Sequence, residues 1–492
     1  MFKNILICYY SIGGTSYYYD FAEEFLKSDN NILHWNLYYA TYNAKNKNKI
    51  LEKISGFKPD LIFSYNNICP EDIVREMKVP VLILDADNPE FFQNKEIINK
   101  YDYLYYLGYQ SNSGELYKKI LNVDVNKQNY LFFPTATNFH NDPLKVCDTN
   151  ISFIGSNFYR NFLGDRIVTP QERDMMIYLA KKIRENYYFI DPNIDVMLIN
   201  FTKYYLAGQD RLKYLSCISD LGLQIYSNSN WKELFTYDLE LANCYNEKVI
   251  ITKNENQDVY NSSKISINLS HLQATNSFSW RVPDIMATNS CLIMEDKVDW
   301  RMIFGEYISD VVKKAIIYKD RYDLREKCIK LLKDEDLRQR CVIECQNAIE
   351  KNGRWKSRIE SLETFLNLKL LGNSSSEPGM ITEEISTAAD GADEEAISIS
   401  TPIPDKETEG TSSQQEENFN NREIFSETKT APSEDRIFLE FPKKKVKSDL
   451  AIFLRCIVIT VYFIPIIGKK LIKKRRINKI IYKISDKLNH EN

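Results

Sequence analysis

The residues best placed to do chemistry in this chain are carboxylates and arginines beside glycine or proline turns. In Ser279-Trp280-Arg281-Val282-Pro283-Asp284-Ile285-Met286-Ala287-Thr288-Asn289-Ser290, a cation and a carboxylate stand three apart at the opening of a short helix. A guanidinium there can bridge phosphate oxygens, and a carboxylate can accept from the two hydroxyls of a ribose. The helix dipole favours an acid in a first turn in any case, which gives Asp284 a structural explanation beside the functional one. Asp85-Ala86-Asp87-Asn88-Pro89 closes an apolar run with two carboxylates. Such a pair can hold Mg or Mn on a diphosphate, or supply a general base, while an Asx turn before Pro89 accounts for the same residues structurally. Gly13 and Gly14, in Tyr10-Ser11-Ile12-Gly13-Gly14-Thr15, allow close approach of backbone to a ligand; the competing reading is a tight turn capped by Thr15. Phe153-Ile154-Gly155-Ser156-Asn157-Phe158-Tyr159-Arg160 offers backbone N–H groups and a cation to a diphosphate.

The elements that must position these residues alternate regularly. Apolar runs at 4–10, 32–38, 60–65, 79–85, 101–107 and 130–133 are separated by amphipathic stretches at 15–27, 47–55, 70–77 and 113–121. Continuous apolar strands between helices predict a parallel sheet covered on both faces, hence a Rossmann-like, doubly wound lobe over 1–140. A second such lobe is expected over 141–370, with strands at 151–155, 222–226, 248–252, 264–269 and 291–294. Its helices are expected at 171–185, from about 206 to 220, around Trp231, and at 257–262. Charged amphipathic helices at 321–333, 335–353 and 355–368 are expected to close it. The fold class is therefore α/β with two lobes.

Composition removes several function classes. Four His argue against a multi-histidine metal site, and ten scattered Cys without a CxxC pair argue against a zinc site or disulfide framework. The chain opens on a strand-like run without a secretory leader, so the expected location is cytoplasmic. Ser, Thr, Glu, Asp and Pro dominate 371–441, too polar to offset chain entropy, and predict a disordered acidic linker. The segment 442–492 combines Lys443-Lys444-Lys445-Val446-Lys447, an apolar stretch over 450–468 broken by Arg455 and Pro465, and a basic cluster over 469–476. Basic flanks around apolar residues predict contact of 443–476 with the inner face of a membrane, spanning it or lying on it. A nucleic-acid tail would carry less Ile, Phe and Val, so no nucleic-acid partner is expected.

The ordered motifs resemble the CgeB-like, spore-maturation-type glycosyltransferases of the GT-B fold, related to family-one and family-four enzymes. The resemblance covers roughly 1–370. It rests on Val79-Pro80-Val81 leading to Asp87-Asn88-Pro89, Tyr101-Asp102-Tyr103, Phe133-Pro134-Thr135-Ala136, Phe153-Ile154-Gly155-Ser156 with Arg160, Tyr226 with Trp231, Val259 to Leu269, Arg281 to Ser290, and Leu331 to Arg358. It implies a hexosyltransferase-type enzyme using a nucleotide-sugar as co-substrate, with no cofactor and no metal. Donor contacts would fall to Gly155, Ser156, Arg160, Tyr226, Lys264, Asn268, Arg281 and Asp284. Gly13, Gly14 and Thr15 would line the acceptor side, and Asp87 would be the base of an inverting enzyme, with His34 and His140 as weaker candidates. The acceptor would be a glycan, a lipid-linked glycan or a protein. The family's Phe-Glu is Pro283-Asp284 here and its Gly is Asn289, which puts donor geometry in question. Two alternatives stay open: a metal-dependent transferase using Asp85 and Asp87, and a degenerate, membrane-tethered scaffold or sugar-binding protein.

Overall fold

Strands that are apolar at every position need cover on both faces, and the chain meets that need twice. The computed structural model describes residues 4–10, 17–27, 30–38, 40–126, 128–158, 169–227, 230–248, 250, 252–371 and 381–382. In the first lobe β1 (Asn4–Tyr9), β2 (Asn31–Asn36), β3 (Leu61–Tyr65), β4 (Val81–Leu84), β5 (Leu104–Gly108) and β6 (Tyr130–Phe132) lie in the order β2-β1-β3-β4-β5-β6. Every pairing is parallel. Helices Tyr17–Leu26, Lys47–Phe57 and Glu71–Met77 make the crossovers. β3 and β4 are buried along their whole length, as their unbroken apolar runs require.

The second lobe holds β7 (Thr149–Ile154), β8 (Leu223–Tyr226), β9 (Tyr245–Asn246), β10 (Ser263–Asn268), β11 (Cys291–Glu295) and β12 (Ile317–Tyr318), in the order β12-β11-β10-β7-β8-β9. These pairings are parallel too. The direction of strand addition reverses between β7 and β10 here, and between β1 and β3 in the first lobe. A doubly wound sheet opens a crevice at the carboxyl ends of the strands flanking such a reversal, which is where ligands of these folds lie.

Local chemistry moves several boundaries from their expected places. The helix expected from about 206 runs over Val196–Ser216, because Asp195 caps it by accepting from the Met197 N–H at 2.9 Å. The strand expected at 248–252 is instead Tyr245–Asn246; the Asn246 side chain accepts from the Lys248 N–H at 3.0 Å and turns the chain away. The helix expected at 257–262 begins at Lys253, where Thr252 and Glu255 form a reciprocal capping box. Among the described residues the last long helix, Trp355–Leu366, returns to the first lobe. There Trp355, Ile359 and Leu362 join the core that also holds Ile5, Phe25 and Phe63. Burying Ile359 and Leu362 contributes about 1.5–3 kcal/mol each, enough to tie this helix to the first sheet.

Of the expected linker, only Leu371 and Ile381–Thr382 are described, and the latter pair forms a short parallel strand outside β2. The tail 442–492 lies outside the described residues. Among the described residues no helix is long and apolar enough to cross a membrane.

Candidate active site

At the carboxyl edge of the first sheet, the two aspartates after β4 turn opposite ways. Asp85 leans toward the end of β5, where it accepts from the Ser113 hydroxyl at 2.7 Å and from the Tyr109 N–H. It is fully buried, and burial pushes its pKa up to about 7. Asp87 leans toward the end of β3. It accepts from Asn66 Nδ2 at 2.7 Å, and its own N–H donates to Asn66 Oδ1 at 3.1 Å. Asp87 keeps a solvent-accessible surface while protein closes around it on most sides; this crowding raises its pKa against the opposing pull of the Asn66 bond. The hydroxyls of Tyr187 and Tyr204 in the second lobe are pushed up by burial and further by the charges of Glu90 and Asp87, so Asp87 faces that lobe. With Asp85 spent on β5, the two acids do not converge on one point. Among the described residues no group of three His, Cys, Asp or Glu side chains is arranged to hold a metal ion.

Facing this edge are the ends of β7 and β10. Gly155 follows β7, with its N–H on the Tyr226 carbonyl at 3.0 Å and its own carbonyl on Trp231 Nε1 at 3.0 Å. A Cβ on Gly155 would stand 2.8 Å from the Phe153 ring and 3.4 Å from the Arg211 guanidinium, so the position is closed to a larger residue. Arg211, from helix Val196–Ser216, donates to the Ser156 carbonyl and lies 4.2 Å over the Phe158 ring. It is buried and has no carboxylate in an ion pair among the described residues. Burial pulls its pKa well down, and the nearby charge of Arg281 lowers it further. Arg281 opens the helix Arg281–Met286, and its buried Nε has no hydrogen-bond partner. Two guanidiniums thus stand together beside the switch point, and among the described residues neither forms an ion pair with a carboxylate. Each is costly to desolvate alone, and an anion offsets that cost.

The loop after β10 completes the wall. Asn268 is buried at the strand end; it accepts from the Ser279 hydroxyl at 2.5 Å and donates to Ser270 at 3.1 Å. His271 packs edge-on or tilted against Phe158, Tyr187 and Tyr204 at 5.4–6.0 Å. Its Nδ1 accepts from the Gln273 N–H at 3.3 Å, which places the ring proton on Nε2, and that buried nitrogen has no partner. Burial, then the charges of Arg211 and Lys203, lowers the His271 pKa to about 3, so the ring stays neutral and donates through Nε2. Lys203 is itself buried and bridges the lobes to Glu90 at 3.1 Å.

Asp284 is buried, and its Oδ1 accepts from the Thr137 hydroxyl at 2.5 Å. Thr137 belongs to the chain crossing between the lobes and donates its N–H to the Gly353 carbonyl at 2.9 Å. Asn289, where the resembled family has Gly, brackets the same crossing with a 2.6 Å bond from Nδ2 to the Asp142 carbonyl.

The structure therefore brings together Gly155, Ser156, Asn268 and Arg281 on one edge, with Asp87 opposite. Asp284 belongs to the same helix as Arg281 but is engaged with Thr137. Tyr226 is buried at the end of β8 beside Gly155. Lys264 does not join the group: it is the second residue of β10, at the amino end, and bonds Asn150 at 3.0 Å. His34 is buried in β2, its pKa lowered by burial to about 4. His140 is exposed on the crossing segment, its N–H on Gln257 at 3.1 Å. Gly13, Gly14, Thr15 and Arg160 lie outside the described residues. Sequence reasoning missed Arg211, Lys203 and His271. The signal for the first two was available: the buried stripe Ile199, Lys203, Ala207, Arg211, Leu215 steps by four and carries two cations where apolar residues belong.

A glycosyl transferase-like family model matches residues 211–364, from Arg211 through the helices beyond β12. No curated protein matches the chain. Similar solved structures include the T4 phage BGT in complex with its UDP-glucose substrate, at 12% identity and TM-score 0.41 over 74% of this chain and 100% of that one. A sucrose-phosphate synthase from Thermosynechococcus elongatus shares 9% identity with TM-score 0.45, over 74% of this chain and 98% of that one. Anabaena Alr3699/HepE in complex with UDP and glucose also shares 9% identity with TM-score 0.45, over 74% and 99% respectively.

Proposed function

We propose that the chain is a glycosyltransferase that moves a hexose-type sugar from a nucleotide-sugar donor to a glycan, lipid-linked or protein acceptor without a metal. The observation that carries this reading is the pair Arg211 and Arg281, which has no carboxylate partner among the described residues and stands beside the β7/β10 switch point. The glycosyl transferase-like match over 211–364 supports it independently. In this reading the donor diphosphate lies against the two guanidiniums and the chain after Gly155. They stabilise the charge that develops as the bond from the anomeric carbon to the phosphate oxygen breaks. Asp87, across the cleft, takes the proton of the acceptor hydroxyl as its oxygen forms the new bond to that carbon. The crowding around it holds its pKa above the ordinary carboxylate value, which makes it a stronger base. The Nε2–H of His271 is a further donor to a ligand oxygen, and 443–476 hold the chain at the inner face of a membrane that carries the acceptor.

The test is thermal stability of the full chain against a panel of nucleotides and nucleotide-sugars, with and without EDTA, repeated on Arg281→Ala. A ligand that binds only the folded state raises the melting temperature. A shift that survives EDTA and is lost in Arg281→Ala is the expected result. A shift that requires a divalent ion would return Asp85 and Asp87 to the donor site. A second reading, a sugar-binding or scaffold protein without activity, is favoured by the engagement of Asp284 with Thr137, which a ribose would have to displace. Absence of any shift across the panel would put that reading first.

A further inference from the structure

Asp87 is held by a turn whose backbone few side chains tolerate. β3 ends at Tyr65, and the Ile68 N–H donates to the Tyr65 carbonyl at 3.1 Å, closing a tight turn ahead of helix Glu71–Met77. Both central residues have positive φ, 49° at Asn66 and 52° at Asn67. Turns of this kind favour glycine, asparagine and aspartate. Glycine would meet the conformational demand at both positions, so what asparagine adds is the bonds its amides make.

Asn67 braces the turn. It is fully buried, and its Nδ2 donates to the Asn94 carbonyl at 2.7 Å. Asn94 Nδ2 donates in return to the Asn67 carbonyl at 3.0 Å and to the Cys69 carbonyl at 2.8 Å. The backbone of Asn66 is pinned as well: its N–H donates to the Leu84 carbonyl at 2.7 Å, and its carbonyl accepts from the Gln93 N–H at 3.0 Å. From that fixed base the Asn66 amide meets Asp87 with both ends, Nδ2 on Oδ2 at 2.7 Å and Oδ1 on the N–H at 3.1 Å. Beyond Asp87, Asn88 stands at φ 125° and accepts from Gln110 Nε2 at 2.9 Å and the Tyr188 hydroxyl at 2.8 Å. A backbone so placed costs free energy that these bonds offset, and such conformations gather at functional sites. Asp87 is thus fixed on both sides and at one carboxylate oxygen, while its Oδ1 makes no hydrogen bond among the described residues.

We propose that Asn66 is the positioning residue of the base: it holds Oδ2 and the N–H of Asp87 and so presents Oδ1 to the acceptor hydroxyl. This rests on the reading of Asp87 as the general base. A carboxylate already oriented needs no reorganisation when the acceptor arrives, which is how positioning contributes to rate. The bond from Asn66 also favours the ionised form, against the burial that raises the Asp87 pKa. The neighbouring groups leave that balance to Asn66. Glu90 is matched by Lys203 at 3.1 Å, and Tyr187 and Tyr204, which the charge of Asp87 reaches, are kept protonated by burial. His271, packed against both tyrosines, is neutral.

Carbon-13 NMR titration of the full chain labelled at the aspartate carboxyl carbons tests the proposal, the Asp87 signal being the one absent from Asp87→Asn. Asn66→Gly keeps the freedom the turn needs and removes the amide, so the Asp87 midpoint should rise by about one pH unit. Asn66→Asp keeps the size but sets a like charge beside Asp87, and should raise the upper midpoint of the acid pair further still. Unchanged midpoints in both variants overturn the proposal. Steady-state kinetics with the donor found by the stability screen separate it from the base reading. Asn66→Gly should lower kcat about tenfold, move the acidic limb of its pH profile upward with the midpoint, and leave KM for the donor unchanged. If Asp87→Asn abolishes turnover while Asn66→Gly behaves like the parent, the base reading stands and this one falls. If Asp87→Asn turns over normally, the base reading itself fails, whatever Asn66→Gly does to the midpoint.

Discussion

The two carboxyl edges that face each other across the cleft are built on opposite principles. On the first lobe, polar side chains satisfy one another: Asn66 holds Asp87, Ser113 and the Tyr109 N–H hold Asp85, and Gln110 donates to Asn88 at 2.9 Å. On the second, Arg211 is buried with no carboxylate in an ion pair among the described residues, and the buried Nε of Arg281 and Nε2 of His271 have no hydrogen-bond partner. Burial without partners costs free energy, so an edge that leaves cations unmatched is stabilised by what binds there. In the proposed reaction, the contrast fits a negative ligand on the second lobe and a base on the first.

The sharpest way to break this comparison is at its one exposed acid. Asp87→Asn should lower turnover by about 10²–10⁴-fold with little change in donor affinity, as loss of a general base does; steady-state kinetics with the donor found by the stability screen would read it. An unchanged turnover would remove the base from the first lobe. Arg281→Ala should follow, with a loss on the order of 10²-fold in kcat/KM and a weakened donor, since one charge-assisted contact to the leaving group is gone.

Next comes the seam that fixes the two edges at their distance. Gln110 donates across the lobes to the Tyr188 hydroxyl at 3.2 Å and the Gln273 carbonyl at 3.1 Å, and accepts from Thr275 Oγ1 and the Asn276 N–H at 3.1 Å each. Gln110→Ala leaves several of these groups buried and unpaired, and should cost about 3 kcal/mol in urea unfolding.

Asp85 sharpens the comparison through pH. Its folded pKa, about 7, lies above the unfolded carboxylate value, so the protonated form is the one the fold favours. The associated stability is fully present below the unfolded pKa of about 4 and is lost as pH rises through about 7. Asp85→Asn does not ionise. Relative to the parent, the variant should therefore gain about 2–3 kcal/mol between pH 5 and pH 8, measured by denaturant unfolding at both. A difference independent of pH would mean that Asp85 is ionised throughout and that its hydrogen bonds outweigh its burial.

Much of the frame was legible in the sequence because it depends on short-range pattern. Six apolar runs became six strands of the first sheet, since an all-apolar strand has few alternatives to a doubly covered parallel sheet. The failures share a cause. The start of helix Val196–Ser216 depended on the Asp195 cap, and placing it near 206 hid the stripe in which Lys203 and Arg211 stand out. The division of labour between Asp85 and Asp87 was invisible, because it is decided by Ser113 and Asn66, 28 and 21 residues away. The partner of Asp284 was hidden for the same reason: Thr137 is 147 residues distant.

Lys264 is a different case, and it yields the smallest predicted effect. A lysine on a core strand of the donor lobe invites assignment to the diphosphate, yet strand direction alone argues against it. In a parallel sheet all ligand-facing ends are carboxyl ends, and position 264 is the second residue of a six-residue strand, so its side chain starts several residues short of that edge. Its half-buried ammonium bonds Asn150 at 3.0 Å, near the amino end of β7. Lys264→Ala should leave donor affinity unchanged and alter unfolding free energy by no more than about 1 kcal/mol, the scale of one such bond. A loss of donor binding with the fold intact would mean that charge at the amino ends of the strands reaches the cleft, and the assignment of the ligand to one edge would then have to be given up.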